Sequence, residues 1–201
     1  VSFSDMYDGT DKTAEGFVSL NFMVEGNIYT VEGVSASRTE RHAGTYSVTV
    51  TGEPVVLDSK GNDVTDQFIV TTETGTLKIA KRSVTLTSGN GEKLYDGDAL
   101  TNDKVKVTGD GFADGEGASY AVAGRQILPG SSENRFTYEL NEGTSADDYY
   151  ITPVYGMLNV TSRSGDEKYE VTITANSGTV KYDGERHSVS GLVGADEDGN
   201  V

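Results

Sequence analysis

The sequence predicts an all-β fold laid out as tandem β-sandwich units, and three observations carry that reading. Thr (23 residues), Val (22) and Tyr (11) are abundant, and these side chains suit the pleated, half-buried surface of a strand. Twenty-five glycines stand against three prolines, many of them in Asp-Gly or Asn-Gly-like steps that supply turns with positive φ. The chain also repeats itself. Tyr-Asp-Gly occurs as Tyr7-Asp8-Gly9, Tyr95-Asp96-Gly97 and Tyr182-Asp183-Gly184, at intervals of 88 and 87 residues. The flanks agree: Val84-Thr85-Leu86-Thr87 starts eleven residues before Tyr95, and Val171-Thr172-Ile173-Thr174 starts eleven before Tyr182. Both alternate as a strand with one buried face does.

A second anchor closes each unit. Asp66-Gln67-Phe68-Ile69-Val70-Thr71 followed by Gly75-Thr76-Leu77-Lys78-Ile79 parallels Asp147-Asp148-Tyr149-Tyr150-Ile151-Thr152 followed by Gly156-Met157-Leu158-Asn159-Val160, at an offset of 81. The first unit therefore holds about seven more residues than the second. The turn-rich stretch 52–62, with Pro54 and Lys60-Gly61-Asn62, is the expected insertion.

In order along the second unit, strands are expected at 84–87, near Leu100, and at 105–108, 119–123, 136–140, 149–152 and 156–160. Turn signals separate them: Ser88-Gly89-Asn90-Gly91, Gly109-Asp110-Gly111, Asp114-Gly115-Glu116-Gly117 and Pro129-Gly130-Ser131-Ser132. Short strands at intervals of about 8–12 residues predict an immunoglobulin-like sandwich of about 80–88 residues per unit. A β-grasp unit would need an amphipathic helix, and no 3.6-residue periodicity supports one. The expected layout is a first repeat over 1–82 lacking its first strand, a complete repeat over 83–163, a linker at 164–168, and the start of a third repeat over 169–201.

Charge and composition exclude several functions. Sixteen Lys and Arg face 32 Asp and Glu, a net charge of −16, which disfavours nucleic acid and anionic membrane surfaces alike. Cys is absent, which removes disulfides, thiolate metal sites and cysteine nucleophiles. No apolar run approaches the roughly 20 residues of a membrane-spanning helix, and no signal-peptide pattern opens the sequence. The 35% of hydrophobic residues still suffices for packed cores.

A strand, then Lys-x-Tyr-Asp-Gly, a Gly-rich middle and a closing Asp-x-Tyr-x-Ile…Gly-x-Leu-x-Val resembles the Tyr-Asp-Gly, or MBG-type, repeats that accompany bacterial Ig-like modules in cell-surface adhesins. The residues that carry the resemblance are Lys93-Leu94-Tyr95-Asp96-Gly97, Val180-Lys181-Tyr182-Asp183-Gly184, Asp148-Tyr149-Tyr150-Ile151 and Gly156-Met157-Leu158-Asn159-Val160. Unit one departs from it with Met6 before Tyr7 and with Gln67-Phe68 in its closing strand. The resemblance implies extracellular display on a bacterial surface as a tandem array, with neighbouring repeats as partners and no particular ligand.

The junctions differ in stiffness. Lys78-Ile79-Ala80-Lys81-Arg82-Ser83-Val84 contains no Gly or Pro, so a near-continuous extended connection is expected between units one and two. Ser162-Arg163-Ser164-Gly165-Asp166-Glu167-Lys168 is polar, contains Gly, and should flex. Unit one lacks a counterpart of 84–87, and two readings account for it: the sequence is a piece of a longer protein, or strand exchange lets residues 171–174 of one molecule fill the empty edge of another.

Candidate sites are sparse. In each Tyr-Asp-Gly step, Asp is expected to bond the backbone two residues on, Gly to take the positive φ, and Tyr to pack at the sandwich edge. Acidic loops offer hard oxygen ligands: Asp110, Asp114 and Glu116, and again Asp196, Asp198 and their neighbours, are the calcium candidates, although neither loop has the twelve-residue EF-hand pattern. No other cofactor is expected. Arg38, Arg41 and His42 form the one basic island and the candidate contact for an acidic glycan. A Gly-x-Ser-x-Gly elbow and clustered histidines are absent, so no enzyme is expected. A Lys–Asn isopeptide crosslink would need groups in contact on adjacent strands; Lys78 and Asn159 merely occupy equivalent closing-strand positions. Two function classes remain: a spacer that presents a distal domain, and an adhesive module for mucin, glycan or a host protein.

Overall fold

In a computed structural model the chain is all-β, with residues 1–193 described; the acidic stretch 196–200 lies outside them. The chain divides into two compact units, Val1–Thr161 and Ser162–Val201. The first half of the larger unit carries β1 (Ser2–Met6), β2 (Lys12–Glu15), β3 (Asn21–Val24), β4 (Asn27–Glu40), β5 (Gly44–Val48), β6 (Val50–Leu57) and β7 (Gly75–Ala80). Its second half carries β8 (Arg82–Ser88), β9 (Gly91–Leu94), β10 (Val105–Gly109), β11 (Ala118–Val122), β12 (Gly130–Asn134), β13 (Phe136–Leu140), β14 (Tyr149–Val154) and β15 (Gly156–Thr161). Helical residues among those described are confined to three-residue 3-10 turns at Thr65–Gln67, Ala146–Asp148 and Gly165–Glu167.

The two halves share their strand registers. β7 lies between β1, parallel to it, and β5, antiparallel; β15 lies in the same way between β9 and β12. The parallel ladders run from Ser2 opposite Thr76 to Met6 opposite Ala80, and from Gly91 opposite Leu158 to Leu94 opposite Thr161. The antiparallel ladders end with Val48 opposite Gly75 and Asn134 opposite Gly156. The hairpin ladder Ala36–Val50, Ser35–Thr51, Val34–Gly52 corresponds to Val122–Phe136, Ala121–Thr137, Tyr120–Tyr138. Beyond it the first half bulges between Glu32 and Val34, where a side chain on Gly33 (φ 78°) would sit 2.4 Å from the Glu53 carbonyl oxygen. The ladder then continues to Thr30 opposite Leu57. The insertion expected at 52–62 is thus the far end of β6 and its turn, where Asp58 Oδ1 accepts from Lys60 N (2.8 Å) and Asn62 N (2.9 Å).

The halves also differ: the β3–β4 ladder belongs to the first half alone, and the four-rung β2–β4 ladder corresponds to the single Leu100–Gln126 bridge of the second. In the second half β8 runs between β10, antiparallel, and β14, parallel, with Val84 and Leu86 fully buried. In the first half residues 68–74, which align with β14, form no ladder.

Two sequence expectations need correction. The strand expected near Leu100 is a single bridge to Gln126; the strand of that region is β9, which begins within the expected Ser88–Gly91 turn. Gly91 allows it, because a Cβ there would come within about 3 Å of Leu100 Cδ1 and Leu158 Cδ2. The expected Pro129–Ser132 turn leads at once into β12, a polar edge strand held by its backbone ladder to β15 and by Ser131 Oγ on Asn159 Oδ1 (3.0 Å). A strand without an apolar face gives no alternation to read.

The main core joins the halves: Tyr7, Ala14, Ala36, Val48, Leu77 and Ile79 cluster with Val84, Leu86, Ala113, Phe136 and Tyr149. Lys81 alone separates β7 from β8. In the smaller unit Ala175 bridges Leu192, and Val193 N donates to the Thr174 carbonyl at 2.8 Å.

Candidate functional site

The best-built polar site is the junction where the first half meets the second. β1 leads into Tyr7, β8 begins with Arg82, the loop after β10 supplies Phe112, Ala113 and Glu116, the 3-10 turn before β14 supplies Asp148, and β14 begins with Tyr149. Local chemistry sets each group. Ser145 Oγ accepts from Asp147 N (3.3 Å) at the head of the 3-10 turn that aims Asp148 inward. Asp8 closes the turn after Tyr7 by accepting from Thr10 N (2.9 Å) and Lys12 Nζ (2.5 Å), while Gly9 takes φ 82°. The same turn recurs at Asp96, which accepts from Asp98 N (3.0 Å), and at Asp183, which accepts from Glu185 N (3.0 Å), with Gly97 and Gly184 at φ 89° and 84°.

Tyr7 is 2% exposed and Tyr149 3%. Their rings meet edge to face at 5.7 Å, and Phe112 packs against Tyr149 at 5.2 Å. Both hydroxyls donate to Glu116, Tyr7 to Oε1 and Tyr149 to Oε2 (2.6 Å), and the Tyr149 hydroxyl accepts from Ala113 N (2.9 Å). One carboxylate thereby ties a motif residue of the first half to a closing-strand residue of the second. Burial, reinforced by the Glu116 carboxylate, raises both phenols, Tyr149 to about 12. Arg82 donates through Nε to the Gly111 carbonyl (2.8 Å), through Nη1 to the Tyr7 carbonyl (3.2 Å), and through Nη2 to the Asp110 carbonyl. Asp148, wholly buried, accepts from Ala43 N (2.6 Å) and is hydrogen-bonded to His42 Nδ1 (2.8 Å). The bonds that cross from one half to the other are Tyr7 to Glu116, Arg82 to the Tyr7 carbonyl, and Asp148 with Ala43 N and His42.

Two of the three candidate calcium ligands serve other partners. Glu116 takes the two phenols, Asp110 Oδ2 accepts from Ser83 N (2.8 Å), and Asp114 is exposed on the turn between them. Among the described residues no three His, Asp or Glu side chains converge as a metal site would require. The basic island disperses as well. Arg38 pairs with Glu40 and lies over the Tyr46 ring, Arg41 Nε donates to Asp11 (3.0 Å), and His42 turns to Asp148. The third motif tyrosine, Tyr182, is 97% exposed. Lys78 is exposed on β7, and the Asn159 amide donates to Glu92 (3.3 Å).

Sequence reasoning missed Asp148, Tyr149 and Arg82 as one set with Tyr7. A signal was present: Asp148-Tyr149 of the second half is replaced at both positions by Gln67-Phe68 in the first. Phe68 packs instead against Phe22 (5.5 Å) and Tyr29 (4.9 Å), where no hydroxyl or carboxylate is needed.

Compared with known proteins, the chain matches no family model, no curated protein and no solved structure.

Proposed function

We propose that the chain is a non-catalytic spacer: tandem immunoglobulin-like β-sandwich repeats of a bacterial cell-surface protein that hold a distal functional domain away from the surface. The observation that carries this reading is the junction. Buried Tyr7 and Asp148 each bond from one half to the other, to Glu116 and to His42 and Ala43, and Tyr7 belongs to the recurring Tyr-Asp-Gly motif. The bacterial surface setting rests on the resemblance of that motif and of the closing strands. The excess of 16 negative charges suits an extended array whose copies repel one another. An adhesive role for Arg38, Arg41 and His42 is disfavoured, because each already bonds an acidic side chain of the chain itself.

Binding of the purified chain to immobilised mucin and a glycan panel, at low and high salt, tests the reading. A blank across the panel is expected. Saturable binding that disappears in Arg38→Ala and Arg41→Ala would replace the spacer with an adhesive module on the β4–β5 corner.

A further inference from the structure

The link between β8 and β9 holds the one Asn-Gly step of the sequence, Asn90-Gly91. This dipeptide is the one most prone to cyclise, because glycine has no side chain to keep its amide nitrogen away from the asparagine side-chain carbon. The step stands where the chain passes from one sheet to the other, between Ser88 at the end of β8 and Gly91 at the start of β9. Asn90 is exposed. Solvent reaches it, so burial is not what protects it.

Its protection is geometric. Asn90 Oδ1 accepts from Met157 N at 2.7 Å, and the Asn90 carbonyl accepts from the Asn102 amide at 2.8 Å. Gly91 is the first rung of the β9 ladder, opposite Leu158, and a Cβ there would already press on Leu100 Cδ1 (3.0 Å) and Leu158 Cδ2 (3.1 Å). From the other side, a Cβ on Gly156 would stand 2.8 Å from Asn90 Oδ1. Cyclisation needs the Gly91 nitrogen to swing onto Asn90 Cγ. With both carbonyls and the next rung held, that motion is closed while β9 is seated. β9 has four residues and lies at the edge of its sheet, the kind of element that opens locally before the whole fold does.

We infer that Asn90 is a latent modification site: it is inert while β9 is seated, it cyclises when β9 is released, and the main product bars β9 from returning. In the released chain the Gly91 nitrogen bonds to Asn90 Cγ, the Cγ–Nδ2 bond breaks, and ammonia leaves with the Gly91 amide proton. Water then opens the ring at either carbonyl. Attack at Cγ leaves aspartate on an unchanged backbone, and its carboxylate accepts from Met157 N as the amide did. Attack at the main-chain carbonyl leaves isoaspartate, whose backbone runs through Cβ and Cγ and is longer by one carbon, about 1.5 Å. Oδ1 is then a main-chain oxygen that moves with Gly91, and the extra carbon has no room between Gly156 and the side chains around Gly91. The ladder from Gly91 opposite Leu158 to Leu94 opposite Thr161 falls out of register. A transient opening is thereby fixed as a permanent one, whether or not the chain is a spacer.

The full chain aged in mildly alkaline buffer, folded and in urea, provides the test. Peptide mapping follows the mass gain of amide to acid at Asn90, and chromatography separates isoaspartate from aspartate. Conversion in the folded chain is expected to be at least about tenfold slower than in urea, since only the opened fraction reacts. After ageing in urea and return to buffer, molecules with isoaspartate at position 90 should lack hydrogen-exchange protection at 91–94 and melt lower. Molecules with aspartate there, and the Asn90→Asp chain made directly, should keep both. Asn90→Ser, which places there the residue that Ser2 supplies at the corresponding point of the first half, should refold fully after the same ageing. Equal rates in the folded chain and in urea, isoaspartate chains that regain protection at 91–94, or an equal loss in aged Asn90→Ser would each overturn the inference, the last by assigning the damage to another residue.

Discussion

Glu116 accepts two phenolic hydroxyls, yet the two tyrosines are not equivalent. Tyr7→Phe removes one bond to a carboxylate that keeps its other partner, so a loss of about 1–2 kcal/mol is expected. Tyr149→Phe also strands the buried Ala113 N–H, and the expected loss is larger, about 2–3 kcal/mol. Urea unfolding of the two variants decides the order; equal losses would mean that Ala113 finds another acceptor. The pH response follows from the raised phenols. A phenol titrates at about 10 in an unfolded chain, and Tyr149 is pushed up to about 12 in the folded one. The stabilisation is therefore complete below pH about 10 and is lost as pH rises through the folded value. Melting temperature should fall between pH 10 and 12, and the double Phe variant should show a flatter slope there. At this scale the sequence exposed the motif turns, because an Asp–Gly step closes locally. It hid the joint, because Glu116 meets Tyr7 across 109 positions of chain. A loop carboxylate reads the same whether it faces solvent, a cation or a phenol.

Among the elements, the strands legible in the sequence are those with an apolar face turned to the core. β8, with Val84 and Leu86 inward, is the clearest, and β12 and β9, paired through the backbone with little apolar contrast, are the ones misread. The closing glycine was legible as a spacing but not as a constraint. A side chain on Gly156 would lie 2.5 Å from the Ser88 carbonyl oxygen and 2.6 Å from that of Gly89. The start of β15 is thus pressed against the end of β8, and Ser88 Oγ accepts from Gly156 N at 2.9 Å. Gly156→Ala should cost about 2–3 kcal/mol, as overpacking does when backbone is the obstacle. Leu86→Ala should cost about 3–5 kcal/mol, because Leu86 is fully buried and its loss opens a void in the core. Thermal melts of the two variants measure both; a loss below 1 kcal/mol in Leu86→Ala would mean that the β8–β14 layer collapses readily around the gap.

For the whole molecule, charge and topology matter more than any one side chain. A chain carrying −16 meets its own copies against a repulsive field, and added salt shortens the reach of that field to about 8 Å near physiological strength. Repulsion between chains, read as the second virial coefficient in light scattering, should therefore fall from 20 mM to 300 mM salt; an unchanged coefficient would mean that the charge is not what keeps the copies apart. All-β architecture was readable from composition and period, since both are properties of the entire chain. That one core spans both halves was not, because the hydrophobic residues of β7 and β8 read as two separate strands however they pack.

The parallel pairing of β1 with β7, and of β9 with β15, has a consequence under tension. In a parallel pair the leading end of one strand and the trailing end of the other lie at opposite extremes of the ladder. A pull applied at Ser2 and Ala80 therefore slides β1 along β7 and loads all of its rungs together. A pull on Ala118 and Leu140, which face each other at one end of the antiparallel β11–β13 pair, opens its rungs one at a time. Stretched by its ends, each half should yield in a single abrupt rupture at high force, so that a chain of such halves transmits load without lengthening until one of them fails.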